Sequence, residues 1–99
     1  MQIKNLHSEQ IFSFTQLQEG RIITYSADKT MKVIELEENK YSLKQSLEKH
    51  SGYVVKVIEF NKNELISISI DKSIKFWVNN NDKFNSFFWD MFSPSYKKI

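Results

Sequence analysis

A register of identities recurs 43 residues apart along most of the chain. Laid over itself without gaps, the sequence places His7 on His50, Ser8 on Ser51, Ile23 on Ile66 and Ser26 on Ser69. Asp28 falls on Asp71, Lys29 on Lys72, Lys32 on Lys75 and Lys40 on Lys83. Residue classes match between these points, with Ile11 on Val54, Phe14 on Val57, Leu17 on Phe60, Thr24 on Ser67, Thr30 on Ser73 and Met31 on Ile74. A duplication kept from His7 to Lys83 means that one supersecondary unit occurs twice, so the fold is decided by what one unit forms.

That unit is built of strands. Ile66-Ser67-Ile68-Ser69-Ile70 alternates apolar and polar residues, and Ser73-Ile74-Lys75-Phe76-Trp77 does so again across Asp71-Lys72, the pattern of a hairpin. The first unit reads as strands near 10–17, 21–27, 30–36 and 41–47, the second as strands near 53–60, 64–70, 73–79 and 83–89. With 99 residues, 40% of them apolar and 26% charged, the chain has the make-up of one small ordered domain. Only two glycines and one proline serve its many turns. A period in the low forties carrying four strands is the signature of a propeller blade. The expectation is an all-β fold of two four-stranded antiparallel blades. A leading segment spans 1–6, in the place of an outer strand of a preceding blade; the units cover 7–49 and 50–90, and a tail covers 91–99.

The stretch from His50 to Trp77, HSGYVVKVIEFNKNELISISIDKSIKFW, resembles a repeat of the WD-repeat β-propeller family. The matching features are a His before the first strand, Val55-Lys56-Val57, a Ser four residues before an Asp, and a Trp six after it. His7 to Ile34 is similar but departs further. The Gly that usually precedes the His is Leu6 or Lys49, the Trp position is Ile34 in the first unit, and the final Asp is Glu35 or Val78. The resemblance implies an incomplete WD40-type propeller that serves as a protein–protein interaction module or scaffold.

His50, Ser67 and Asp71 are also the residue types of a hydrolase triad. No Gly-x-Ser-x-Gly elbow surrounds Ser67, however, and the trio recurs as His7, Thr24 and Asp28, as structural elements do. The resemblance implies instead a hydrogen-bonded series of Trp77, Ser67, His50 and Asp71. In the first unit, where Ile34 has no donor, the series is expected to stop at Thr24, His7 and Asp28.

Other chemistry finds little support in the sequence. Without Cys there is no disulfide, thiolate nucleophile or thiolate metal site, and the two His residues stand a whole repeat apart, so neither metal nor cofactor is expected. Gly20 and Gly52 form no phosphate loop. No apolar run reaches the length of a membrane helix, and no signal-peptide pattern opens the chain. The default location is therefore intracellular and cytoplasmic. A net charge of +2, with lysines interleaved among acids, gives no bulk signal for nucleic acid. A weak nucleic-acid-binding module would need Lys29, Lys32, Lys72 and Lys75 on one face.

Two blades leave two outer faces bare, and repeat architectures generally need more units than this. The chain is expected to be a fragment of a larger propeller; the other outcomes are that it self-assembles as three or four copies, completes a partner's propeller, or stays marginally stable. A remnant of a multidomain protein carrying an enzyme elsewhere, and a closed two-sheet sandwich, are the alternatives. By family resemblance the partner surface comprises Tyr53, Val55 and Ile70 with Gln10, Phe12 and Ala27, there to anchor a protein or peptide. The aromatic run Phe84, Phe87, Phe88, Trp89, Met91 and Phe92 is either a docking segment or an outer strand covering the second blade.

Overall fold

The computed structural model describes residues 1–87 and contains eight strands and, among those residues, no helix. β1 (Ile11–Gln16), β2 (Ile22–Ser26), β3 (Met31–Glu37) and β4 (Lys40–Leu47) form one antiparallel sheet in chain order. β5 (Val54–Asn61), β6 (Glu64–Ser69), β7 (Ile74–Asn80) and β8 (Lys83–Phe87) form the second in the same order. Met1–Gln10 precede β1 without joining a strand. Of the aromatic run, Phe88, Trp89, Met91 and Phe92 lie outside the described residues, as does the whole 91–99 tail.

The turns explain how so few glycines suffice. Asn39, Asn63, Asn81 and Asp82 take the left-handed backbone that the tight hairpins require, a conformation that short polar side chains tolerate. Asn81 and Asp82, with φ of 56° and 64°, form the two-residue loop between Asn80 and Lys83. Lys29 and Lys72, with φ of 75° and 71°, do the equivalent job between the second and third strands of each sheet.

Pairing assigns each side chain to a face. One face of each sheet carries Thr24 or Ser67 and is called here the hydroxyl face; the other is the reverse face. In the first sheet the reverse face holds Ile23 opposite Val33 and Tyr25 opposite Met31, with Leu47 beside Met31. In the second sheet the hydroxyl face holds Leu65 opposite Trp77, Val57 opposite Ser67, and Phe84 opposite Asn79. These two faces pack on each other, and their apolar residues, joined by Leu17 and Val54, form a single buried cluster. Burying side chains of this size is worth about 1.5–3 kcal/mol each, so this junction contributes substantially to stability.

The junction is tight on one side and open on the other. β1 and β2 lie against β5, where the Thr15 hydroxyl donates to the Val57 carbonyl at 2.7 Å. Toward β4 and β8 the sheets diverge, and clefts of about 580 Å³ and 260 Å³ open beside Lys44 and Lys83 and beneath Gln45 and Ser86. There the Gln45 amide clamps the backbone of Phe84, accepting from its N–H and donating to its carbonyl, both at 2.7 Å. Arg21 lies 5.9 Å over the Phe84 ring, with its Nε held by Glu19.

The outer faces are not those of a finished sandwich, whose outward side chains are polar. The first sheet leaves Phe14, Leu36, Tyr41 and Leu43 exposed, and the second leaves Ile58 and Ile74 exposed.

Candidate functional site

His50 sits ahead of β5 and reaches between strands to join groups from β6, β7 and their connecting turn. Its Nε2 lies 2.7 Å from Ser67 Oγ and its Nδ1 lies 2.9 Å from Asp71 Oδ2. The Trp77 indole N–H donates to the same Ser67 oxygen at 2.9 Å. A carboxylate can only accept, so the ring proton belongs on Nδ1, leaving Nε2 to accept the Ser67 hydroxyl. Trp77, Ser67, His50 and Asp71 thus form one directed chain of hydrogen bonds running into a carboxylate.

Asp71 is the hub. Its Oδ2 also accepts the Ser51 N–H at 3.0 Å, and its Oδ1 accepts both the N–H and the hydroxyl of Ser73. The Ser73 hydroxyl, His50 and the two backbone donors together hold the carboxyl well below its ordinary range, against a smaller opposing effect of burial. Ser69 Oγ accepts the Asp71 N–H at 3.0 Å, which fixes the turn that presents the carboxylate.

The first sheet repeats this arrangement position by position. His7 Nε2 lies 2.6 Å from Thr24 Oγ1 and His7 Nδ1 lies 2.9 Å from Asp28 Oδ2. Asp28 accepts from the Ser8 N–H, the Thr30 N–H and the Thr30 hydroxyl, and Ser26 Oγ accepts the Asp28 N–H. Burial acts to raise the Asp28 pKa, but the Thr30, His7 and Ser8 donors outweigh it and lower the value from 3.8 to about 2. Ile34 stands where the second sheet has Trp77, and among the described residues no indole donates to Thr24. Thr30, Ser73, Ser26 and Ser69 are members that triad-style reading does not single out. Their signal was a hydroxyl kept at each place in the 43-residue register.

This geometry does not suit nucleophilic attack. Ser67 is fully buried and its oxygen is engaged by both Trp77 and His50. Among the described residues no cluster of three His, Cys, Asp or Glu side chains is arranged to hold a metal ion.

The six candidate partner residues gather at the ends of the sheets beside the network turns. Phe12 and Val55 are the extra residues of two equivalent β-bulges at the starts of β1 and β5, which turn their side chains outward. The Ala27 N–H donates to the Gln10 carbonyl, and the Ile70 N–H to that of Tyr53, pinning the two turns against the first strands. The Phe12 and Tyr53 rings meet across the two sheets at 5.9 Å. Phe12, Tyr53, Val55 and Ile70 are all exposed, so this end carries a contiguous apolar and aromatic surface. Gly52 lies beneath it, where a Cβ would come within 2.9 Å of the Asp71 amide nitrogen.

The lysines do not converge in this way. Lys32 and Lys75 are half-buried opposite Thr24 and Ser67, on corresponding faces of successive sheets, while Lys29 and Lys72 occupy exposed turns. No helix among the described residues is long and apolar enough to cross a membrane. Compared with known proteins, the sequence matches no family model and no curated protein.

Proposed function

We propose that the chain is a pair of β-propeller blades of the WD-repeat type and acts as a non-catalytic protein-interaction module. The observation that carries this reading is the duplicated network. Two sheets of the same strand order each hold a His–hydroxyl–Asp constellation at equivalent positions, a framework that locks a turn against a strand end. Sheets that splay apart from β1 and β5 toward β4 and β8 suit wedge-shaped blades around a common axis.

The binding surface in this reading is the end that carries Phe12, Tyr53, Val55 and Ile70, with Gln10 and Ala27 at its margin. Rigid aromatic side chains on fixed bulges anchor a peptide with little loss of conformational freedom. The test is selection of a random-peptide library against the immobilised chain, repeated with the double variant Phe12→Ser, Tyr53→Ser. Enriched peptides should bind the parent and lose at least tenfold in affinity for the double variant. Absence of enrichment, or binding indifferent to both substitutions, would sink the proposal.

A further inference from the structure

We infer that the chain associates with copies of itself head to tail, the exposed hydroxyl face of the first sheet in one copy covering the exposed reverse face of the second sheet in the next. The inference rests on the blade-pair reading and names a partner for its two open faces.

The internal junction supplies the argument, because it is not symmetric. It joins the reverse face of one sheet to the hydroxyl face of the other, and the faces left over are one of each kind. Each bare face is therefore the 43-residue equivalent of a face already buried inside the molecule. Ile11, Phe14 and Tyr41 hold the positions of Val54, Val57 and Phe84. Ile66, Ile68 and Ile74 hold those of Ile23, Tyr25 and Met31, Ile66 and Ile68 half-buried and Ile74 exposed. The equivalents are 0–2% exposed in the junction, whereas Phe14 and Ile74 stand 60% and 57% exposed.

Ile58 stands on the bare reverse face where the first sheet has Thr15, so the new contact is apolar at that position and lacks the hydroxyl-to-carbonyl bond that Thr15 makes to Val57. A second copy thus continues an interface that the molecule already makes. Because the contact is heterologous, it propagates until a ring closes, with three copies giving six blades and four giving eight.

The test uses the full 99-residue chain and two charge insertions at exposed positions, Phe14→Lys and Ile74→Lys. Light scattering after size exclusion should find the parent as one species of three or four times the 11.8 kDa chain mass. Each variant alone should be monomeric with an unchanged β circular dichroism spectrum. Mixed in equal amounts they should form a one-to-one dimer and nothing larger, because Phe14→Lys keeps an intact reverse face and Ile74→Lys an intact hydroxyl face. A folded parent that stays monomeric overturns the inference. Oligomers that survive either substitution, or variants that fail to pair, overturn it too. In each of these cases the blade-pair reading is judged separately, by peptide selection and by the Trp77–Ser67 bond.

Discussion

Phe14 and Val57 hold the same position in successive sheets, yet Phe14 projects into solvent while Val57 is sealed beneath Ile23 and its neighbours. The difference lies in what covers each sheet and not in the sheets themselves. It follows that truncating the two should have unequal effects on the folded unit. Val57→Ala should lower unfolding free energy by about 1–2 kcal/mol, from lost burial and an unfilled space. Phe14→Ala should cost under about 0.5 kcal/mol in a monomeric background such as Ile74→Lys. Urea unfolding of the two single changes in that background measures both.

The Trp77–Ser67–His50–Asp71 chain makes a graded prediction. Trp77→Phe removes the indole donor but leaves Ser67 bonded to His50, so the cost from hydrogen bonding is about 1 kcal/mol, added to that of the smaller ring. Ser67→Ala strands the buried indole N–H and His50 Nε2 together and should cost about 2–4 kcal/mol. Thr24→Ala strands His7 Nε2 alone and should cost less than Ser67→Ala. Chemical denaturation of the three variants orders them, and equal costs for Ser67→Ala and Thr24→Ala would contradict the account.

Acid should unfold the protein through its two network carboxylates. Asp28 has a folded pKa of about 2, below its ordinary 3.8, so its contribution is complete above about pH 4 and declines as pH falls toward 2. Asp71 is lowered as well and acts in the same direction. The share of stability that these two carboxylates supply should therefore be unchanged down to about pH 4 and be lost below it, as read from urea unfolding. Asp28→Asn should lower stability near neutral pH and flatten part of that acid slope. An unchanged slope in the variant would remove Asp28 from the account.

Lys29 and Lys72 bear left-handed backbone without the glycine that accepts it freely. Lys29→Gly and Lys72→Gly should each be neutral to stabilising, by up to about 1 kcal/mol, in contrast with Gly52→Ala. That change drives a Cβ into the Asp71 amide and should loosen the second network turn. Thermal unfolding of the three variants would check the contrast.

Much of this architecture was legible because the duplication and the period-two alternation agree with each other. Ile66 to Ile70 and Ser73 to Trp77 alternate cleanly, and the strands they predict lie within a residue or two of β6 and β7. Turn chemistry was less legible, since left-handed Lys29 and Lys72 carry no glycine or asparagine signal. Which face of each sheet is covered could not be read at all. Ile11 and Val54, or Tyr41 and Phe84, are alike as residues and differ only in the neighbouring sheet. The Gln45 clamp on Phe84 was hidden for the same reason, because a lone glutamine in a strand carries no mark of a partner in another sheet.

The most direct test of two equivalent sheets stacked face to back is hydrogen exchange at the Trp77 indole, followed by NMR and assigned with Trp77→Phe. Its N–H is bonded to Ser67 from a residue that is 2% exposed beneath the first sheet. The account predicts strong protection in the parent chain and loss of most of it in Ser67→Ala. An indole proton that exchanges in the parent as freely as that of a solvent-exposed tryptophan would contradict it.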